Sequence, residues 1–245
     1  MLTFKNIRQI LIIEPSWNMS KTDQIIHLIH YLQCLPVKIL SQDGVEADDI
    51  IAFLSKELTQ DKKNKVYLVS ADNDFLQLVD ENILMYRSVE KEFVTSKDVK
   101  TKYGVHPHNF LIYKTLMGDA SDALPGIKGL GEKSLFKLFP ELSTHDLTFE
   151  DILDISEEKM DKHVIYARIL HDIEMLENKY KIMDLSNPMM TLEDKEYVDA
   201  FIKHTELELH PKEFLKMYEE DQIGGLIRNP EFWIKDTFQS LVTLK

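Results

Sequence analysis

The sequence predicts an α/β domain built on a parallel sheet, followed by a mainly helical region. Strand-like and helix-like segments alternate through the first part of the chain, and this alternation produces parallel strands joined by right-handed crossovers. Acidic residues follow directly after strand-like segments, at the edge where sites gather in open α/β sheets. Helical periodicity dominates beyond Pro140. We therefore predict an α/β core over residues 1–105 and a helical region over residues 106–245.

The elements of the core follow from the spacing of apolar residues. Two helices are predicted, from Asp23 to Leu35 and from Val45 onward, the first with an apolar stripe along one face. A short helix should follow from Phe75 to Val79. The predicted strands are residues 8–13, Val37–Leu40 and Val66–Ser70, with an edge hairpin formed by Ile83–Tyr86 and Glu92–Thr95.

The helical region starts with two elements that lead to a glycine-rich stretch. Ser96 can cap a short helix to Tyr103, and Pro107 can start another helix through Leu116. Further helices are predicted at about residues 149–155, 157–178 and 193–203, then at Pro211–Glu220 and in the tail. This last part shows no motif that carries chemistry, so we interpret it as a helical cap on the sheet domain.

Length and composition are those of a soluble globular protein. The 245 residues suffice for one large domain with a helical appendage, and 44% are hydrophobic and 29% charged. The apolar runs are too short to span a bilayer, so we expect no membrane partner. The single cysteine, Cys34, excludes an internal disulfide framework and fits a reducing cytoplasm; its place on an apolar helix face favours a core thiol over a nucleophile.

The net charge of −13 argues against a simple basic protein that coats DNA. It does not exclude a metal-dependent nuclease, because many of the acids are clustered and bound cations would offset them. Seven carboxylates stand at strand ends or loop–helix junctions: Glu46, Asp48, Asp49, Asp72, Asp74, Asp119 and Asp122. For Glu46–Asp49 the alternative is equally strong, since acids favour the first turn of any helix.

Converging carboxylates repel each other and raise each other's pKa values unless cations bind between them. Hard divalent ions with oxygen ligands suit such a cluster, and Mg²⁺ uses few carboxylates while keeping waters for phosphate groups. Two such ions about 4 Å apart can activate a water and stabilise the leaving oxygen of an in-line displacement. The acids therefore predict phosphodiester chemistry.

A glycine series lies beside the last two acids, in the stretch Gly118–Ser134. Gly126, Gly129 and Gly131 permit a close backbone approach, and a helix predicted at Glu132–Phe139 would present N–H groups to an anion. Lys128 and Lys133 are candidate phosphate contacts; the alternative is that both are ordinary solvated lysines. Metal ligands and a phosphate-binding loop thus adjoin.

Three motifs, in this order, resemble the signatures of the flap endonuclease or structure-specific 5′-nuclease family. They are GVEADD at residues 44–49, SADNDF at residues 70–75 and GDASDALPGIKGLGEKS at residues 118–134. The family includes the 5′–3′ exonuclease domains of bacterial DNA polymerase I and phage enzymes, and the C-terminal layout is most similar to the ribonuclease H of T-even phages. The resemblance covers roughly residues 20 to 140 and implies a PIN-like, mostly parallel sheet flanked by helices, with a helix–three-turn–helix motif and a helical C-terminal region.

The resemblance also implies roles for individual residues. Glu46, Asp48, Asp72 and Asp74 would be catalytic and would bind or orient two Mg²⁺ ions, for which Mn²⁺ can substitute. Asp49, Asp119 and Asp122 would serve as further ligands or would hold metal-bound waters. The helix–three-turn–helix would grip duplex DNA and hold a K⁺ ion on its carbonyls, with DNA contacts from Gly126, Lys128, Gly129, Gly131, Lys133 and Ser134.

The sequence departs from this family before the first motif. The family begins with a strand that ends in aspartate and later has a second aspartate and a basic helical arch, whereas here 45 residues precede Glu46. Glu14 roughly occupies the place of the second aspartate, and Trp17 and Lys21 are the only candidates to replace the arch. Either another polypeptide supplies the missing acids and arch, or the chain is an inactive remnant that binds duplex DNA.

We therefore predict a Mg²⁺-dependent 5′-3′ exonuclease or flap endonuclease, encoded by a phage and working in the host cytoplasm. It would hydrolyse phosphodiester bonds in branched, flapped or RNA-primed duplex DNA during replication or repair. Its expected partners are duplex or flap DNA, RNA–DNA hybrids, a complementing N-terminal nuclease polypeptide and a single-stranded-DNA-binding protein. A structural metal-binding module without nucleic-acid function is a third interpretation, and the glycine series argues against it.

Overall fold

A computed structural model describes residues 20–119, 124–222 and 225–243, and these residues belong to two compact units. The central unit comprises residues 42–196. The terminal unit comprises residues 20–41 together with the described residues between 197 and 243. The predicted boundary between residues 105 and 106 lies inside the central unit, and the division of functions that it marks stays a prediction. The predicted strand at residues 8–13, with Glu14, Trp17 and Asp122, lies outside the described residues.

The central unit contains a small sheet and a series of helices. Its first part is α2 (Ala47–Leu58), β1 (Val66–Val69), a 3₁₀-helix (Asn73–Leu78), β2 (Ile83–Arg87), β3 (Glu92–Val94) and α3 (Ser96–Tyr103). It continues with α4 (Phe110–Met117), β4 (Gly118–Asp119), β5 (Leu124–Pro125), α5 (Glu132–Leu138), α6 (Phe149–Glu158), α7 (Val164–His171) and α8 (Ile173–Met183). Short 3₁₀ turns at Pro107–Asn109, Pro140–Ser143 and Met160–Lys162 connect some of these helices.

The main sheet has the order β1-β2-β3, with one parallel and one antiparallel pair. Strand β1 runs parallel to β2, with Val66 opposite Ile83. Strand β2 pairs antiparallel with β3, which confirms the predicted hairpin. One face of the sheet is buried, and it includes Met85, which is fully buried. The opposite face leaves Tyr67 and Val69 of β1 exposed.

Two element predictions are wrong. Residues 37–40 form no strand, because Val37 and Ile39 are more than one-third exposed and the amide of Val37 turns back to donate to Leu35 O at 2.7 Å. The single helix predicted at 157–178 is broken into a 3₁₀ turn, α7 and α8. The break at the start of α7 is built by His163, whose ring Nδ1 accepts from Ile165 N at 3.2 Å.

Helix α4 lies in the main core of the central unit. Its Phe110, Ile112 and Leu116 are almost fully buried, with Leu135 of α5 and Ile169 of α7 in the same cluster. Fully burying one such side chain contributes about 1.5–3 kcal/mol. This packing fixes α4, which leads directly into the glycine-rich stretch.

A buried asparagine fixes the beginning of α4. Asn109 is fully buried, and its Nδ2 donates to Leu142 O at 2.9 Å and to His145 O at 2.6 Å. Its Oδ1 accepts from Leu147 N at 2.9 Å. A buried amide with all of these partners is stabilising, whereas losing them would leave costly unsatisfied polar groups. Asn109 therefore joins α4 to the segment before α6.

The terminal unit combines helices from both ends of the chain. It contains α1 (Lys21–Gln33), α10 (Pro211–Glu220) and α11 (Pro230–Thr243), while α9 (Leu192–His204) runs across the boundary between the units. Their core is formed by Tyr31, Cys34, Leu35, Phe214, Tyr218, Ile234 and Phe238. Cys34 is thus a buried core thiol, and burial raises its pKa.

In the described part of the chain no helix has the length and apolar character needed to cross a membrane.

Candidate metal and nucleic-acid site

The first group of acids stands at the beginning of α2. Glu46 is the N-cap residue but makes no capping bond with its side chain, and Asp48 and Asp49 occupy the first turn. Asp49 Oδ1 accepts from Met189 N at 3.0 Å, so this carboxylate fastens α2 to the segment before α9. Simple capping by the side chain therefore does not explain Glu46, and Asp49 has a structural partner of its own.

The second group follows β1 and is fixed by a run of local hydrogen bonds. Ser70 Oγ accepts from Asp72 N at 3.0 Å, and Asp72 Oδ1 accepts from Asp74 N at 2.9 Å, which caps the 3₁₀-helix. Asn73 Oδ1 accepts from Arg87 Nη2 at 2.5 Å and from the hydroxyl of Tyr103 at 3.2 Å. Each residue of this turn thus has a defined orientation.

The two groups converge on Asp48. The pKa of Asp48 is raised first by burial and then by the negative charges of Asp72, Asp74, Glu46 and Asp49. Residues separated by more than twenty positions in the chain therefore lie within electrostatic reach of one carboxylate. The predicted convergence of the first two motifs is present at this point.

The third motif joins the others through a lysine. Lys114 of α4 is buried, and its Nζ donates to Asp74 Oδ1 and also forms an ion pair with Asp119 Oδ2. Burial acts to lower the pKa of Lys114, but the hydrogen bonds to Asp119 and Asp74 outweigh it, and the pKa is raised. Asp74 and Asp119 are thus connected by one internal cation.

A second buried lysine lies nearby. Lys179 of α8 is 3% exposed, and its Nζ donates to Pro125 O at 2.8 Å. Burial lowers its pKa, and the negative charge of Asp119 opposes that shift. Two buried ammonium groups thus accompany the acids, although the carboxylates remain in excess.

The donor chemistry fits a hard divalent cation. The charges of four neighbouring carboxylates raise the pKa of Asp48, and a cation with oxygen ligands would relieve that repulsion. Within residues 20–119, 124–222 and 225–243, however, no three His, Cys, Asp or Glu side chains already stand in an arrangement that would hold an ion. The structure brings the acids into one neighbourhood, and Asp122 lies outside the described residues.

The glycine series has two different functions in the structure. Gly118 and Gly126 are pressed against each other's backbone in the hairpin of β4 and β5, where Gly118 pairs with Pro125. A Cβ added to Gly126 would lie 2.1 Å from Met117 O. Gly126 therefore meets its own chain closely, and its missing side chain is needed for the hairpin rather than for an external ligand.

The later glycines face outward. Gly129 has a φ of +83° and lies next to the guanidinium of Arg168, whose Nη1 donates to Lys128 O at 2.6 Å. Gly131 is the N-cap residue of α5, and a Cβ added there would meet no atom within 4 Å. Lys128, Gly129, Gly131 and Lys133 are exposed, and Ser134 is partly buried. These residues form one accessible surface, which we call the glycine–lysine loop.

Sequence reasoning missed three basic residues: Lys114, Lys179 and Arg168. The sequence could have singled out Lys114, because it is the one charged residue in the otherwise apolar helix FLIYKTLM. Such a lysine has either a solvent exit or a buried partner, and here the partners are acids of two motifs. Arg168 carries the same signal, because it is the one Lys, Arg, Asp or Glu in the helix VIYARILH. Lys179 lies in a helix with several charged residues, which gives no such signal.

The family model and the relatives that this chain matches carry the same description, 5′-3′ exonuclease. A family model described as "5′-3′ exonuclease, N-terminal resolvase-like domain" matches residues 17–104. The 5′-3′ exonuclease of Buchnera aphidicola from Acyrthosiphon pisum is 36% identical over 129 residues, which are 53% of this chain and 45% of the relative. The 5′-3′ exonuclease of Aquifex aeolicus is 38% identical over 115 residues, 47% of this chain and 39% of the relative. The chain thus spans about half the length, or less, of these relatives.

Solved structures agree with this family at the level of the fold. A mutant of the bacteriophage T5 5′-exonuclease matches with a TM-score of 0.51 at 20% identity, covering 75% of this chain and 67% of the other. The T5 flap endonuclease in a pseudo-enzyme–product complex with DNA and metal ions matches equally well, over 62% of its own length. The fold is therefore that of the 5′-exonucleases, a PIN-like arrangement of helices around a small sheet. The family model, the relatives and the solved structures agree in what this chain is similar to, namely 5′-3′ exonucleases and, at the level of the fold, a flap endonuclease.

Proposed function

We propose that this chain is a divalent-metal-dependent 5′-3′ nuclease that hydrolyses phosphodiester bonds in branched or RNA-primed duplex DNA. The observation that carries the proposal is the convergence of the three motifs: Lys114 contacts both Asp74 and Asp119, and the pKa of Asp48 is raised by burial and then by the charges of Asp72 and Asp74. A protein that only binds duplex DNA gains nothing from an anionic cluster that repels its ligand. The names of the matched relatives support the same activity.

Glu46, Asp48, Asp72 and Asp74 would hold or orient two Mg²⁺ ions, with Mn²⁺ able to substitute, and Asp119 and Asp122 would complete one side. When bound, the ions would polarise the scissile phosphate and neutralise the charge that develops on it. The chain's own contribution is positioning: Asp72 is held by the Asp74 amide, and Asn73 by Arg87 and Tyr103. Asp49 acts at the edge of the site, because its carboxylate also binds Met189 N.

The glycine–lysine loop would hold the duplex away from the cut. Lys128 and Lys133 are exposed and suit phosphate groups as point charges, and Gly131 leaves open space in front of the backbone. The carbonyl of Lys128 already accepts from Arg168, so a K⁺ ion on this loop would need other carbonyls or would displace the guanidinium. The Cβ position of Gly126 faces Met117 O, so a DNA contact at Gly126 would use its backbone.

A complementing polypeptide would supply a basic arch and further acids. Among the described residues β1 pairs with β2 alone, and the apolar side chain of Val69 is 62% exposed on one face of the sheet. Parallel strands are normally buried on both faces, so this apolar face favours a covering partner. Single-stranded-DNA-binding protein remains a further expected partner in replication.

Cleavage of a labelled 5′-flap duplex tests the proposal. We expect Mg²⁺-dependent cleavage by the purified chain alone or after addition of the complementing polypeptide, and loss of it in Asp48→Asn. Asp43→Asn, an exposed acid in the turn before α2, is the matched control and should keep the wild-type rate. Duplex binding without cleavage under both conditions would instead favour the inactive remnant.

A further inference from the structure

The buried lysine of α4, Lys114, has no role in the nuclease function proposed above. Helix α4 is apolar apart from Lys114 and Thr115, and six of its residues are buried. The side chain of Lys114 is 8% exposed, and its ammonium contacts carboxylates on both sides, Asp74 and Asp119. These two acids belong to different motifs, one after β1 and the other in β4.

Such a group is costly unless its partners are in place. A lysine is almost never fully buried without a counter-charge, and removing one member of a buried ion pair is strongly destabilising because the remaining charge is left without its partner. The carboxylates also depend on the lysine. Because one ammonium contacts both Asp74 and Asp119, the two carboxylates lie close enough to repel each other when that ammonium is removed. Asp48, which feels the charge of Asp74, would add to their repulsion.

The other buried lysine shows that this arrangement is specific. Lys179 is as deeply buried as Lys114, but its ammonium donates to a neutral acceptor, the carbonyl of Pro125, at 2.8 Å. Lys179 feels the charge of Asp119 only at a distance. Of the two buried lysines in the described part of the chain, Lys114 is therefore the one that bridges a pair of carboxylates.

We propose that Lys114 is an internal counter-cation that holds Asp74 and Asp119 together while no divalent ion is bound. Lys114 is thus a positioning residue for the metal site, and the assignment rests on the proposed function only for the identity of that site. Because the ammonium and a metal ion balance the same carboxylates, replacing Lys114 should make the folded state depend on divalent cations.

Thermal unfolding in EDTA and in Mg²⁺ tests this dependence without any measurement of cleavage. We expect Lys114→Met to lower the melting temperature by about 5–10 °C in EDTA, a few kcal/mol for a chain of this size. Addition of Mg²⁺ should raise the melting temperature of the variant by at least twice the rise seen for the wild type. In Lys179→Met the melting temperature should also fall, but the rise with Mg²⁺ should stay close to that of the wild type.

A charge-balanced double variant separates electrostatics from lost packing. Lys114→Met combined with Asp119→Asn removes one charge of each sign, so we expect it to be more stable in EDTA than Lys114→Met alone. An equal response to Mg²⁺ in Lys114→Met and the wild type would overturn the proposal. So would a double variant that is no more stable than Lys114→Met, including the case in which both fail to fold.

The proposed function can fail separately. If the wild type gains stability from Mg²⁺ and Lys114→Met gains more, the counter-cation role holds even when no condition yields cleavage of a 5′-flap duplex. If flap cleavage is Mg²⁺-dependent but Lys114→Met responds to Mg²⁺ like the wild type, the nuclease proposal stands and the role of Lys114 falls.

Discussion

At the scale of single residues, identical amino acids have different functions within the same loop. Gly118 and Gly126 allow two backbone segments of the hairpin to touch, while Gly131 faces open space. From sequence alone the glycines are equivalent, because spacing shows that a close approach is needed but not what approaches. The same limit applies to Lys114, whose partners Asp74 and Asp119 are 40 and 5 positions away and are visible only after folding.

The two kinds of glycine should respond differently to alanine. Gly126→Ala places a Cβ 2.1 Å from Met117 O, so we expect at least about 1–3 kcal/mol of lost stability from overpacking. Gly131→Ala meets no atom, and we expect a change below about 1 kcal/mol, from the poorer N-cap. Urea unfolding of the two variants beside the wild type measures both; equal losses would contradict the assignment.

Lys133 is predicted to contact phosphate through charge alone. We expect Lys133→Gln to weaken duplex binding for all sequences and to reduce the slope of log affinity against log salt by about 1. Lys162→Gln, another exposed lysine of the central unit, should leave that slope unchanged. Binding titrations at several salt concentrations give the slopes, and matching slopes for Lys133→Gln and the wild type would exclude the contact.

At the scale of elements, periodicity and turn chemistry predicted much of the chain. Pro211–Glu220 is a helix over the predicted residues, because a proline marks its beginning. The helix predicted to end at Tyr103 is also present, but its N-cap is Thr95 rather than Ser96, because Thr95 forms a capping box with Asp98. The apolar run Val37–Leu40 was wrongly predicted as a strand, because a short apolar run forms a strand only if it is buried and paired with another strand. The acids of the candidate site were found because they follow elements with clear periodicity.

Helices α3, α6 and α9 begin with the same capping motif, in which a threonine N-cap pairs with an aspartate three residues later. Hydrogen bonds from the backbone and side chain of Thr148 lower the pKa of Asp151. In the same way, hydrogen bonds from Thr95 lower the pKa of Asp98, and hydrogen bonds from Thr191 lower the pKa of Asp194. A carboxylate whose pKa is lower in the folded state stabilises the fold above its unfolded pKa, about 3.9, and stops doing so as the pH falls through the folded value.

Asp151→Ala should therefore lower stability at pH 7 and have little effect once the pH is below the pKa that Asp151 has in the folded protein. Urea unfolding of the variant and the wild type between pH 7 and pH 3 measures the gap between them. Asp146→Ala, in the loop just before Thr148, is the control whose gap should not change in the same way. A gap for Asp151→Ala that stays constant with pH would contradict the capping role.

At the scale of the whole molecule, an excess of acids is combined with a proposed function that requires binding a polyanion. The net charge is −13, and part of it gathers around Asp48. The positive charges of the glycine–lysine loop, Lys128 and Lys133, are exposed. The sequence could show that acids and lysines fall in different motifs, but the distances between those motifs needed the fold.

Mg²⁺ should stabilise the wild-type chain more than sodium chloride of the same ionic strength does. A ligand that binds only the folded state adds about 1.4 kcal/mol at ten times its Kd. Melting curves in the two salts measure the difference, and Asp48→Asn should remove most of it. Identical curves for the wild type in both salts would mean that the charges are merely screened.

One junction of the terminal unit has a consequence for how the protein is made. Asp221 accepts hydrogen bonds from His27 and Tyr31, 194 and 190 positions earlier, each at 2.5 Å. A ribosome releases α1 before α10, so α1 must wait for its partner until α10 has been synthesised. The central unit consists of contiguous residues and can close during synthesis, whereas the terminal unit must assemble after it. The order of folding is thus set by the position of partners along the chain.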